Sequence, residues 1–146
     1  MLPGFDEHGH LPPGVHHCTW SEFVARFDWN SKRKQLMDGL RCALVALKAA
    51  GCQLAIIDGS FVTQKDDPQD YDGCWEAKGV DPSKLDPILL RFDSGRIAQK
   101  TKFRGELFPA EAIANSKTGR RYMDFFQHDR DGRPKGVTAI DLRTLP

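Results

Sequence analysis

The chain has 146 residues, 40% of them hydrophobic and 28% charged, with a formal net charge of +1. This is the composition of an ordinary globular domain with enough length to bury a core, and the near-zero charge makes no case for a polyanionic partner beyond local patches. No apolar run approaches the roughly 18 to 20 residues that span a bilayer, and Met1–Asp6 lacks the basic and apolar regions of a signal peptide, so no membrane partner and a cytoplasmic address are expected.

In chain order, residues 1–18 carry Gly4, Gly9, Pro12, Pro13 and Gly14 and predict an extended N-terminal arm rather than a helix or strand. His8, His10, His16, His17 and Cys18 lie on this arm without a recognised zinc-ligand spacing, so no structural metal is assigned. Cys18, Cys42, Cys52 and Cys74 are scattered and read as buried small side chains. Thr19 followed by Glu22 forms a capping-box pattern ahead of a short helix, Trp20 to Phe27, with Trp20, Phe23 and Phe27 on one face.

A long helix is predicted from Ser31 to Ala50. Asn30 or Ser31 caps it, Gly51 stops it, and Leu36, Leu40, Ala43, Leu44 and Leu47 form its packing stripe. Lys32, Arg33, Asp38, Arg41 and Lys48 fall mostly off that stripe. Gln53 to Asp58 reads as a buried strand, residues 64–69 as a polar loop, and Tyr71 to Ala77 as a second strand. Val80 to Phe92 suggests a helix interrupted at Pro87, and Arg96 to Pro109 one long strand or a hairpin alternating through Ile97, Phe103, Leu107 and Phe108. A short helix over Arg121–His128, a turn at Asp131-Gly132 and a last strand over Gly136–Leu142 complete a single domain spanning 1–146. The fold class expected is α/β in the broad sense (α+β), a small mixed sheet flanked by helices.

The chemistry concentrates between Asp58 and Asp72. A buried strand ends in Gly59-Ser60, a loop follows, and the next strand opens with Asp70-Tyr71-Asp72. Residues i and i+2 of a strand share a side, so Asp70 and Asp72 project together. Two carboxylates held that close repel unless a cation lies between them, and Mg²⁺ favours carboxylate, phosphate and water oxygens. Glycine lets the backbone approach a ligand, while a serine hydroxyl and N–H suit phosphate. The alternative is an Asp-rich turn with no ligand.

The pattern of an apolar residue, Gly59-Ser60, a spacer and Asp70-x-Asp72 resembles the nucleotidyltransferase superfamily, which includes polymerase-β-like enzymes and minimal nucleotidyltransferases. Leu11–Gly14, Asp58–Thr63, Asp70–Trp75 and Lys135-Gly136 are similar to an uncharacterised bacterial family of this fold, over nearly the whole chain.

The resemblance implies transfer of a nucleotidyl group from an NTP to a protein, RNA or small-molecule acceptor. It implies Mg²⁺ (or Mn²⁺) held by Asp70, Asp72 and a third carboxylate. Glu106 is the choice for the third, in a stretch otherwise basic and apolar, with Asp124 as the alternative. Gly59, Ser60, Lys65 and Lys102 are the expected nucleotide-binding residues, with Lys100 and Arg104 near them.

Small members of the superfamily often work in toxin–antitoxin or phage-defence pairs, so a cognate toxin or antitoxin partner is a further expectation. The alternative function is a catalytically weak or inactive antitoxin or regulatory module. The sequence departs from the pattern at Gly73, where an apolar residue is usual, and in lacking room for an additional helical domain. The arm, a second subunit of a homo-oligomer or another partner would then hold the base. Asp58 is left as a buried acid without an obvious mate.

Overall fold

The computed structural model describes residues 2–146. Among them are four α-helices, a five-stranded mixed sheet and a two-stranded hairpin, an α+β arrangement. Helix α1 (Trp20–Phe27) begins as its capping box dictates: the Glu22 N–H donates to the Thr19 hydroxyl, and the Thr19 N–H donates to the Glu22 carboxylate. Helix α2 (Ser31–Ala49) is capped by Asn30, whose side chain accepts from the Arg33 N–H. Its stripe Leu36, Leu40, Ala43, Leu44 and Leu47 is fully buried, each leucine contributing about 1.5–3 kcal/mol of hydrophobic stabilisation.

The main sheet runs β1 (Gly14–Cys18), β7 (Gly136–Asp141), β2 (Leu54–Asp58), β3 (Tyr71–Trp75), β4 (Gly105–Pro109). The outer pairs β1–β7 and β3–β4 are parallel, and the inner pairs are antiparallel. Alternation along the strands divides the apolar residues between two faces. Ala55, Ile57, Tyr71, Trp75, Leu107 and Ile140 pack in one cluster with α1 and α2. Ile56, Cys74, Phe108, Val137 and Ala139 form a second with Phe126, Tyr122 and Met123. That second face continues past its apolar patch into the acidic residues described below.

Five sequence expectations are corrected. The arm is not free of regular structure: residues 14–18 form edge strand β1 beside β7, because Val15 to Cys18 offers a pleated, half-buried segment that the surrounding prolines and glycines mask. Residues 80–92 form two 3₁₀ turns, Pro82–Lys84 and Pro87–Leu90. The prolines withhold amide donors, and the Asp81 and Asp86 side chains accept locally from the Ser83 and Ile88 N–H groups. Residues 96–109 divide into helix α3 (Ile97–Phe103) and strand β4, separated by Arg104 in the left-handed region at φ 63°. The expected helix over 121–128 shrinks to α4 (Tyr122–Phe125), preceded by the hairpin of β5 (Ile113–Asn115) and β6 (Arg120–Arg121). Of the cysteines, Cys18, Cys52 and Cys74 are buried, but Cys42 is exposed.

Candidate metal centre and its flanking clefts

Strand β2 delivers Asp58 to the edge of the acidic face, and Gly59 then turns the chain at φ +88°. A Cβ at this position would lie 3.1 Å from Asp72 Oδ2, so glycine is what lets the turn pass beside that carboxylate. Ser60–Val62 makes one 3₁₀ turn. The turn is held from below by Arg33, which is fully buried although its charge had placed it off the packing stripe. Its Nη1 donates to the carbonyls of Phe61 (2.7 Å) and Phe27 (3.1 Å), and its Nη2 to those of Thr63 and Lys65 (2.7 Å each). The guanidinium also stacks on Trp29, 3.7 Å from the ring centroid. Burial pushes its pKa down to about 10, which leaves it charged at neutral pH.

Across the sheet, Asp58 pairs in register with Asp72, and Asp72 with Glu106. Three adjacent strands therefore present three carboxylates in one row, on the face away from α1 and α2. Asp70 precedes Asp72 by two residues and joins them. Gly73 permits this close strand pairing, since a Cβ there would sit 2.3 Å from the Ile56 carbonyl oxygen. The departure from an apolar residue is thus a packing requirement. Tyr71 fixes the start of β3 from the opposite face, its hydroxyl donating to the Phe103 carbonyl at 2.9 Å.

Asp70, Asp72 and Glu106 each offer an oxygen, and these lie within 4.8 Å of one another. Burial, reinforced by the negative charges of Asp70, Glu106 and Asp58, pushes Asp72 up to about 7 against the opposing charge of Lys135. Burial and Glu106 likewise raise Asp70. Asp58 is raised by burial and held back by Lys135, whose Nζ lies 3.0 Å from its Oδ2, so this acid does have a mate. Glu106 meets Arg96 Nε at 3.2 Å and Lys100 Nζ at 2.9 Å. Among the described residues, the carboxylates of Asp70 and Asp72 form no ion pair or hydrogen bond. Crowded, partly buried carboxylates with an all-oxygen donor set could hold a metal ion, and suit an oxygen-seeking cation better than a thiolate- or imidazole-seeking one.

Of the expected residues, Asp70, Asp72 and Glu106 come together with Gly59 beside Asp72, while Ser60, next in the chain, lines the smaller cleft described below. Lys65 is exposed in the loop beside Ser60 and lines the same cleft. Lys102 goes elsewhere, pairing with Asp86, while Lys100 turns to Glu106. Arg104 is exposed at the end of α3, and Asp124 pairs with Arg120 rather than joining the acidic row. Arg33, Arg96 and Lys135 were not anticipated. Arg33 stands three and four residues before Leu36 and Met37, a spacing that places it on the buried stripe despite its charge.

Two clefts meet at Asp58 and Lys135. One, of about 540 Å³, lies between the arm (His8 to Leu11) and the turn at Gly59, Ser60, Thr63 and Lys65. The other, of about 800 Å³, opens from Asp72 and Glu106 towards the hairpin and α4. No described helix is long and apolar enough to cross a membrane. A sequence profile described as a family of unknown function (DUF6932) matches residues 3–141. No curated protein and no solved structure matches the chain.

Proposed function

The chain belongs to that family of unknown function, so its chemistry must follow from the site, and we propose that it is a metal-dependent nucleotidyltransferase acting on an NTP. The observation that carries this reading is the convergence of Asp70, Asp72 and Glu106 within 4.8 Å beside the Gly59-Ser60 turn. Asp70, Asp72 and Glu106 would hold Mg²⁺ or Mn²⁺, which supplies neutralisation of the charge that develops on a transferring phosphoryl group.

Gly59 keeps the backbone open to the phosphates, and Ser60 offers a hydroxyl and an N–H to them. Lys65 adds a positive charge at the same cleft. Arg33 keeps the turn in place before a ligand arrives, a form of preorganisation. In the transfer, an acceptor hydroxyl oxygen bonds to the α-phosphorus as the bond from that phosphorus to the bridging oxygen breaks. Pyrophosphate leaves with the electron pair, and the hydroxyl proton is released to solvent. The acceptor class is a protein, an RNA or a small molecule.

A second reading is favoured by the pairing of Glu106 with Arg96 and Lys100, which already neutralises one of the three carboxylates. In it the domain is a weakly active or inactive module that acts through a cognate protein, as in a toxin–antitoxin pair.

The deciding experiment incubates the protein with Mg²⁺, each α-labelled NTP in turn and cell lysate, alongside Asp70→Ala/Asp72→Ala. Label passed to an acceptor by the wild type alone supports transfer. Absence of label from a folded sample with a working control sinks it, and co-purification of a specific protein would then support the second reading.

A further inference from the structure

Both oxygens of Glu106 are engaged. Arg96 Nε lies 3.2 Å from Oε2, while Arg96 Nη2 at 3.4 Å and Lys100 Nζ at 2.9 Å meet Oε1. The Glu106 side chain is only 10% exposed, whereas those of Arg96 and Lys100 are 37% and 43% exposed and have solvent beside them to move into. Arg96 sits at the start of α3, and Lys100 lies one turn later.

The backbone that carries Arg96 is strained. Ser94, Gly95 and Arg96 follow one another in the left-handed region, at φ 51°, 66° and 61°. A residue other than glycine stays there only where its surroundings hold it. Residues 91–95 are exposed, and a Cβ added at Gly95 would meet nothing within 4 Å, so close packing does not hold this turn. It is held by the hydrogen bond from the Arg96 N–H to the Asp93 carbonyl, at 2.9 Å, and by the grip of the Arg96 side chain on Glu106. The base of the segment is fixed instead. Phe92 stacks on Phe108, and buried Gln99 donates to the Arg91 carbonyl at 3.3 Å while accepting from the Leu107 N–H at 2.9 Å. Residues 92–98 thus form a short loop with a clasped base and a strained tip tied to Glu106.

A metal ion held by Asp70, Asp72 and Glu106 needs an oxygen that these two side chains cover. Formally the three carboxylates carry −3, and Arg96 with Lys100 return +2; a divalent cation brings the same +2. The two arrangements meet one charge demand and compete for it, because a dication a few ångströms from both side chains is repelled by each.

We infer that Arg96 and Lys100 form a latch on Glu106 that a divalent cation displaces. The two side chains neutralise the carboxylate in the metal-free protein, and metal entry releases the strained turn at Ser94–Arg96. Both are positioning residues, acting through Glu106. Arg96 already lines the larger cleft, so its release turns a positive charge out into that cleft. The latch rests on the metal site of the proposed function and not on nucleotidyl transfer.

The test titrates the full chain with Mn²⁺ alone by calorimetry and follows hydrogen exchange by mass spectrometry with and without the metal. No nucleotide is present, so the result is independent of transfer. Arg96→Gln and Lys100→Gln should each tighten Mn²⁺ binding by about tenfold, the scale of removing one partly screened charge close to a dication. Arg96→Lys keeps the charge and should stay close to wild type. Lys102→Gln removes a charge from the same helix, but from a side chain paired with Asp86, and should change the affinity little. Exchange over residues 92–98 should quicken when wild type binds Mn²⁺, and should already be fast in metal-free Glu106→Gln. Folded variants with unchanged or weaker affinity would mark a merely structural pair, overturning the latch and leaving the metal site standing. An equal gain in Lys102→Gln overturns it too, by reducing the effect to net charge. Unchanged exchange over 92–98 in Mn²⁺-bound wild type overturns it without any substitution. Mn²⁺ binding by neither wild type nor any variant removes the metal site and the latch together.

Discussion

Lys135 Nζ lies 3.0 Å from the buried carboxylate of Asp58, across 77 residues of sequence, and Asp58 in turn pairs in register with Asp72. This lysine is the positive group nearest the inner end of the acidic row, and both clefts reach it. Lys135→Met should therefore destabilise the protein by about 2 kcal/mol, below the value for a fully buried pair because the ammonium is partly exposed. Asp58→Asn/Lys135→Met should recover most of the loss. Urea denaturation measures both, and a silent single variant would show that water already compensates Asp58.

Without a cation, stability should fall as pH rises. The Asp72 carboxyl is raised to about 7 from a usual value of 3.8, so the folded protein holds its proton more tightly than the unfolded chain. That contribution is complete below 3.8 and is lost as pH climbs through about 7. Asp58 and Asp70, raised in the same direction, act with it. Thermal melts in chelator should give a lower Tm near pH 8 than near pH 5.5, with Asp72→Asn reducing the difference. Mg²⁺ or Mn²⁺ should restore the Tm at the higher pH by replacing the protons. A melting point that rises with pH identically in wild type and Asp72→Asn would contradict this.

Arg33 should tolerate no replacement. Its guanidinium satisfies carbonyls of Phe27, Phe61, Thr63 and Lys65, and lysine has no planar fork to span them. Arg33→Met and Arg33→Lys are each expected to cost about 3–5 kcal/mol, the scale of orphaning several buried polar groups. Equilibrium denaturation reads the loss, and a change below about 1 kcal/mol would remove Arg33 from its structural role.

Gly59→Ala should combine two costs, a left-handed backbone at φ +88° and a Cβ 3.1 Å from Asp72 Oδ2. Gly132→Ala supplies the control, with φ +79° and nothing within 4 Å of the added carbon. Both should lose about 1–2 kcal/mol from backbone strain. Only Gly59→Ala should also weaken Mn²⁺ binding, measured by calorimetry. Equal metal affinity in the two variants would separate the turn from the carboxylates.

The helices with clear chemical punctuation were legible from sequence: the Thr19–Glu22 box and the Leu36–Leu47 stripe define α1 and α2 almost to the residue. The choice of Glu106 as the third carboxylate also places it with Asp70 and Asp72. Residues 97–103 were harder, because Ile97 and Phe103 fit an alternating pattern as well as a helical one. The difference matters for the site. On a strand, Lys100 and Lys102 would share a side; on a helix they diverge by about 200°, and so one reaches Glu106 and the other Asp86. Arg33–Ser60 turn contacts and Lys135–Asp58 are long-range pairings that no local period encodes. Hairpin β5–β6 is too short and too polar to announce itself in the sequence.

The position of β7 between β1 and β2 gives the chain a constraint in time. During synthesis β1 and β2 emerge early, but the strand that joins them arrives only with residues 136–141. Lys135, which balances Asp58, arrives in the same stretch. The nascent chain must therefore wait with its sheet split and Asp58 unpaired, a non-local closure of the kind that slows folding and exposes strand edges to passing chains. Assembly of the acidic centre is in this way tied to the arrival of β7 rather than to the motif that first draws the eye.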